Sequence, residues 1–306
     1  MSRGAAVYCG GLGLLLTFTL SVHTVFAGTG GGAFMNLPLS VRQMGLGNVS
    51  TAADDLLAAW SNPAILMAQK SEGSLALNGS SMFDGEQNTF GVGAGWLISP
   101  TVAVGGMFSG FATSISEVDE YGNATGTSVD RSVYIYGGLV SMKWRDILEA
   151  GILAKGVSDT VMDDTVNAIA ADAGIVVRFS DASAGFAVRN VGADLRDVDG
   201  VGGESMPMEI RGGLAYKFAE INTTVAAEYI SVNDRDGSLG LGAEYWPSRN
   251  LGIRGGVSGM NENHRQLCLG FSGVYGQMGI DYAFATHDLG STHRVSLVFG
   301  FGKDVK

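Results

Sequence analysis

Cysteine is almost missing from this 306-residue chain, which has only Cys9 and Cys268. Cys9 lies in an apolar leader, so once that leader is removed Cys268 has no partner and no intrachain disulfide staples the fold. Proline is scarce too, at five residues, and no repeat period accompanies the glycine, which excludes collagen-like and proline-rich low-complexity chains. Positive charge is thin: 19 Lys and Arg face 30 Asp and Glu, for a net charge of −11, with no basic cluster anywhere. That balance excludes a nucleic-acid surface. After Ala27 no apolar run reaches 18 residues, which excludes helical membrane spans. The signatures H-E-x-x-H, G-x-S-x-G, C-x-x-C and the P-loop are all absent. His287 and His293 flank one loop with Asp288 as the only neighbour able to ligate, so neither metal nor cofactor is expected.

The N-terminus carries an export pattern. Arg3 is a positive n-region, Leu12 to Val25 is mostly apolar, and Val25-Phe26-Ala27 fits a cleavage site. A transmembrane helix is the rival, but Gly-Thr-Gly-Gly-Gly follows in place of a charged stop-transfer flank. Removing residues 1–27 from the 306 leaves 279, and losing Arg3 moves the net charge from −11 to −12. That length suits one large all-β domain.

Glycine is abundant, at 47 residues scattered among Val, Leu, Tyr and Phe. Such glycines suit strands that curve and pack closely. From Ser74 onward apolar and polar residues alternate, predicting fourteen strands near 74–83, 88–98, 101–114, 131–144, 147–159, 168–179, 183–194, 207–218, 223–232, 238–247, 251–260, 265–275, 278–287 and 292–302. Short turns such as Ser99-Pro100 and Arg145-Asp146 alternate with longer loops at 115–130, 160–167, 195–206, 233–237, 261–264 and 288–291. Short turns at one end and longer loops at the other mark outer-membrane barrels. In the strand near 207–218, Ile210, Leu214, Tyr216 and Phe218 share one parity while Glu209 and Arg211 share the other. A lipid-facing apolar surface and a lumen bearing Glu209, Arg211, Asp281 and Arg294 follow. Asp281 and Arg294, on neighbouring strands, are placed to pair across the hairpin and brace the wall, or to line a path. Val133, Ile135 and Leu139 make part of the lumen apolar, unlike a water-filled porin. A soluble β-protein would invert the two faces, but strands this long suit a tilted membrane span. Tyr134 and Trp144 share the outward parity, one for each interfacial girdle.

One stretch breaks the alternation: Ser40 to Ala68, SVRQMGLGNVSTAADDLLAAWSNPAILMA. It opens on a Met-Gly-Leu-Gly turn and continues as a short amphipathic helical pattern, Asp54 to Trp60, which Ser61-Asn62-Pro63 stops. Asp54 and Asp55 fit first-turn charges favoured by the helix dipole, with Thr51 as cap. The groups Arg42-Gln43-Met44-Gly45-Leu46-Gly47, Ala52-Ala53-Asp54-Asp55 and Trp60-Ser61-Asn62-Pro63-Ala64 resemble the N-terminal plug of the PorV/PorQ-like proteins, within the FadL-like outer-membrane superfamily. Asn48 stands where that family has a second glycine, and Ile65 where a glycine follows N-P-A. Asp281-Tyr282-Ala283-Phe284 and Leu289 to Leu297 are similar to its closing hairpin.

The expectation is an all-β fold: a 14-stranded antiparallel transmembrane β-barrel with an N-terminal helical plug. Residues 1–27 form the signal peptide, 28–73 the plug and 74–306 the barrel of the bacterial outer membrane. The resemblance implies passive transport of hydrophobic small molecules such as long-chain fatty acids, with Asp54, Asp55, Trp60, Asn62, Pro63 and Ala64 in the plug. The closer PorV branch implies instead a barrel that anchors or shuttles exported proteins, docking them on Glu117 to Asp130 and Leu195 to Met206. The expected partners are therefore the lipid bilayer and a hydrophobic ligand or an exported protein. An enzyme such as a lipase would need a Ser/His/Asp constellation drawn from His264, His287 or His293.

Overall fold

The computed structural model describes residues 32–51, 54–118, 124–192, 206–233, 235–260 and 265–304. The leader expected over 1–27, His264, and nearly all of 195–206 lie outside them.

Fourteen strands follow one another in chain order. They are β1 (Ser71–Met82), β2 (Gln87–Ser99), β3 (Val102–Val118), β4 (Ala124–Trp144), β5 (Leu148–Val161), β6 (Asp164–Phe179), β7 (Ala182–Gly192), β8 (Glu209–Phe218), β9 (Thr223–Val232), β10 (Ser238–Tyr245), β11 (Leu251–Ser258), β12 (Gln266–Tyr275), β13 (Met278–His287) and β14 (Gly290–Asp304). Each pairs antiparallel with its sequence neighbours, and β14 returns to β1 with Leu77 opposite Leu297, closing the barrel. Closure leaves no edge strand around the ring, the condition for a sheet to stand in a bilayer.

Two of the expected long loops are mostly sheet. Of the span 115–130, the described residues 115–118 and 124–130 belong to β3 and β4, which pair as far as Val118 opposite Ala124 with a register shift after Ser116. The span 160–167 shrinks to a two-residue turn at 162–163, with Met162 at φ 52°. These hairpins carry outward Ser, Thr and Asn beyond the apolar belt, so hydropathy fades where backbone pairing continues. Asn88, Ala112, Ser132 and Thr160 form one such cross-strand row, immediately above Phe90 and Tyr134.

The alternation sorts the two faces. Leu214, Tyr216, Ile253, Val295 and Leu297 are exposed, whereas Glu209, Arg211, Arg254 and Arg294 on the same strands are buried. A wall that exposes its apolar side chains and buries its charges matches a lipid surround. Tyr134 and Trp144 sit near opposite ends of β4 and are both exposed.

The lumen is filled by the chain's own N-terminal segment. A 3-10 turn at Ala33–Asn36 leads into helix α1 (Val41–Gly45), followed by 3-10 turns at Leu56–Trp60 and Pro63–Ala68. α1 packs against β11 to β14, and Pro63–Ala68 against β3 to β6. The glycine abundance follows from this packing. A Cβ on Gly151 would lie 2.5 Å from the Pro63 carbonyl carbon, and one on Gly256 the same distance from that of Leu46. The wall lacks side chains where the segment's backbone presses on it.

Candidate functional site

The segment is anchored at nearly every turn by polar side chains of the wall. Arg189 Nη2 donates to the Met35 carbonyl at 3.0 Å, and Asn190 Nδ2 to Asn36 Oδ1 at 2.7 Å. Arg294 donates to the Pro38 carbonyl and Asn78 to that of Leu39. Arg211 Nη2 reaches the Asn48 carbonyl at 2.8 Å. Glu228, 1 % exposed, receives the Ser50 and Thr51 N–H groups at 2.7 and 2.9 Å, together with both hydroxyls. The segment is irregular, so its orphan backbone groups need such partners in a water-poor interior.

Arg189, Arg211 and Glu228 among these anchors belong to a network of buried ion pairs. Lys155 pairs with Asp172 at 2.8 Å, Arg189 with Glu209 at 2.6 Å, and Arg211 with Glu228 at 2.7 Å. Arg254 bridges Glu244 at 3.3 Å and Asp281 at 3.0 Å. Arg42 Nε of the segment joins Glu244 at 2.8 Å. Burial works against the charge of Arg42, but Glu244 holds its guanidinium above the usual value. The side formed by β3 to β5 is mainly apolar. There Met107, Val133, Ile135, Leu139, Leu153 and Val157 of β3 to β5 meet Phe34, Leu39, Leu57, Trp60 and Leu66 of the segment.

The expected site residues fall as follows. Glu209, Arg211, Asp281 and Arg294 all face the lumen. Asp281 does not pair with Arg294: it lies opposite Ser296 and takes Arg254 and Ser272, while Arg294 points to Pro38 and Ser80. The register sets Arg294 opposite Ala283, and its guanidinium donates instead to the Pro38 carbonyl of the segment. Thr51 is not the helix cap. The turn begins only at Leu56, so Asp55 takes the N-cap and accepts Ala58 N–H at 3.0 Å, while Thr51 bonds Glu228. Burial pushes the Asp55 carboxyl up to about 6, against the lowering effect of its bond from Ser40 and with nearby Asp281 adding to the rise. Asp54 pairs with Arg178 at 3.1 Å. Leu56–Trp60 is not amphipathic, because wall and segment cover every face. Trp60 is 1 % exposed, with Lys155 Nζ 5.4 Å from its ring centre. Asn62 caps the following turn through Ala64 N–H at 3.1 Å and donates to the Ile175 carbonyl at 3.2 Å, with Pro63 at the first helical position. Ser141 Oγ holds the Pro63 carbonyl at 2.5 Å, and Ala64 is fully buried.

Sequence reasoning did not single out Lys155, Arg189, Glu228, Glu244 or Arg254. Their inward parity within otherwise apolar strands was the available signal. At the rim, Asp84 accepts Ser291 N–H and Oγ–H at 2.9 and 2.7 Å, and Tyr282 Oη lies 2.7 Å from His293 Nδ1. These Ser291 bonds hold the Asp84 carboxyl below its usual range and clasp the β1–β2 turn to β14. Among the described residues no group of three His, Cys, Asp or Glu side chains is placed to hold a metal.

Geometry therefore defines a class: a closed fourteen-stranded barrel, lipid-facing outside, whose lumen is packed with its own N-terminal segment. No family model matches the chain, and no curated protein does. Solved structures do. The CymD monoaromatic hydrocarbon channel superposes with a TM-score of 0.65 at 15 % identity, over 87 % of this chain and 98 % of that one. The P. putida toluene transporter TodX gives 0.66 at 13 %, over 86 % and 98 %. A Pseudomonas aeruginosa FadL homologue gives 0.59 at 12 %, over 86 % and 98 %. At such identities the likeness is one of fold. It is a FadL-like fold, whereas the finer resemblance to PorV and PorQ rests on the sequence motif.

Proposed function

We propose that this protein is an outer-membrane barrel for the passive passage of hydrophobic small molecules, with the segment that precedes β1 as its plug, so that the barrel begins at Ser71 and not at 74. The observation that carries the reading is the division of the lumen. Charged anchors fasten the segment along β7 to β14, while on the side of β2 to β5 it meets the wall mainly through apolar side chains, the exceptions being Ser141 on the Pro63 carbonyl and the Lys155 and Arg131 cations over the Trp60 and Phe34 rings. An apolar solute passing along β2 to β5 breaks mainly dispersion contacts and leaves Lys155 and Arg131 paired with Asp172 and Asp159, whereas a path through the ion pairs would desolvate several charges. Phe34, Leu37, Leu39, Phe111, Val133 and Ile135 surround a cavity of about 10 Å³ on this side, too small for such a solute unless the segment or wall moves. No covalent step is required. The structural neighbours, described as a monoaromatic hydrocarbon channel and a toluene transporter, support hydrophobic cargo as a class.

Mass spectrometry of small molecules retained by the protein in a non-acyl detergent tests this. A bound apolar molecule whose occupancy changes in an Asn62→Ala, Pro63→Ala variant is the expected result. An empty barrel that brings down one exported protein would overturn it in favour of anchoring.

A further inference from the structure

The outward face of β2 to β5 carries two hollows, one above the other. The upper, of about 700 Å³, lies between the turn holding Asp84 and Glu86 and the cross-strand row Asn88, Ala112, Ser132 and Thr160. Ser114 and Asp130, paired one row further out, border it too. The lower, of about 620 Å³, is apolar, and its floor is a second cross-strand row, Ala94, Gly106, Gly138 and Ala154, all exposed. Between the two rows stand Phe90, Phe108 and Tyr134, with successive ring centres 5.7 and 5.9 Å apart. A polar cleft, an aromatic collar and an apolar trough thus follow in that order down one face.

Packing within the chain does not account for the trough. A Cβ on Gly138 would meet no described atom within 4 Å, and one on Gly106 only the Gly137 carbonyl oxygen, at 3.7 Å. Gly151 and Gly256 differ, because there the N-terminal segment presses on the wall. Glycine inside a strand sacrifices stability relative to alanine. Two outward glycines set opposite one another are explained by a body seated against the wall from outside.

The hollows are also spaced for one molecule. From Ser132 to Gly138 along β4 is about 20 Å at ~3.3 Å per residue, or about 15 Å of depth at a tilt of ~40°. That is roughly half the hydrocarbon thickness of a bilayer, so a lipid with its headgroup at Ser132 lays its chain past Gly138.

We infer that this face binds one lipid of the outer leaflet whose headgroup is an uncharged saccharide, with an acyl chain in the trough. Asn88, Ser114, Ser132 and Thr160 offer hydroxyl and amide groups that both donate and accept, as sugar hydroxyls require. Asp84, Glu86 and Asp130 oppose a phosphate in the same cleft. Arg131 borders it as well, but Asp159 takes its Nε at 3.0 Å and its Nη2 at 2.5 Å. A second copy of the chain docked here about a two-fold axis would bring those carboxylates against their own kind. The site lies outside the barrel and does not depend on passage through the lumen.

The test places the full chain in liposomes of glucosyl diacylglycerol and phosphatidylglycerol, equimolar and with the same acyl chains. After extraction in a mild non-acyl detergent, native mass spectrometry counts the lipids retained. Wild type should keep about one glycolipid per barrel, enriched about tenfold over phosphatidylglycerol, the worth of one or two hydrogen bonds. Gly138→Leu fills the trough and should lower glycolipid retention about fivefold or more, while the heat-modifiable gel shift of the closed barrel holds. Asn88→Leu, Ser132→Leu should leave a lipid bound but cancel the preference for sugar. Equal retention of the two lipids by wild type, or unchanged retention in Gly138→Leu, would overturn the site. So would displacement of the lipid by free methyl glucoside, which marks a soluble-sugar site, or a wild-type dimer that Gly138→Leu dissolves.

Discussion

Replacing Glu228 should release the plug without opening the barrel. Its carboxylate gathers the Ser50 and Thr51 N–H groups, both hydroxyls and Arg211 Nε, all within 3.0 Å, at 1 % exposure. Glu228→Ala strands two buried N–H donors and leaves Arg211 only the 3.7 Å contact with Glu209 as a carboxylate partner. Breaking a buried ion pair by removing one member costs about 3–5 kcal/mol. The loss falls on 48–51, because the β9 ladder is made by backbone groups that the substitution leaves in place. Hydrogen exchange should therefore speed up at 48–51 by about a hundredfold or more, since 1.4 kcal/mol is a factor of ten. Exchange in β8 to β10 and the heat-modifiable gel shift of the closed barrel should hold. Glu228→Gln, which keeps one acceptor oxygen, should fall between. Unchanged exchange at 48–51 would refute the claim that this carboxylate fastens the segment.

Gly242→Val should act from the wall side, since a Cβ there would lie 2.8 Å from the Leu46 carbonyl carbon and closer still to its oxygen. Faster proteolysis of 40–51 with intact barrel closure is the expected outcome. For Asp55 the sign is set by a folded value raised to about 6 from an ordinary 3.8. Its contribution to holding the turn is complete below the ordinary value and is lost as pH rises through 6. After correction for intrinsic rates, exchange at 56–60 should be slower at pH 5 than at pH 7, and Asp55→Asn should flatten that dependence. Trp60→Ala should destabilise the segment by about 3–5 kcal/mol, as for other fully buried large side chains, visible as loss of protection across 56–68.

The barrel was legible because period-2 alternation persists through every strand, and parity alone assigned Leu214 and Glu209 to opposite faces. Loop lengths were less legible. Ser114, Ser116 and Ser128 look like loop residues, yet their backbone ladder runs on outside the apolar belt. Pairings within the lumen were not legible at all. Asp281 and Arg294 are sequence neighbours across one hairpin, but Arg254, from β11 on the far side of β12, holds the aspartate. Such partners depend on how far each side chain reaches across a packed interior, which spacing does not encode. The same holds for Leu56–Trp60, whose pattern reads as amphipathic until the enclosing wall is counted. Glycine suited strands that curve and pack closely, and at Gly151, Gly174 and Gly256 the close packing is against the segment.

Locking the segment to the wall tests the central claim most directly. A Cβ on Gly174 would lie 2.8 Å from Asn62 Cγ, so cysteines at 62 and 174 fall within reach of one another. Cys268 is buried and should not interfere. Uptake of a labelled hydrophobic molecule by intact cells carrying Asn62→Cys, Gly174→Cys should fall to the level of cells without the protein when oxidised, and return on reduction. Full uptake through the oxidised, cross-linked barrel would contradict movement of the N-terminal segment as the step that opens the path.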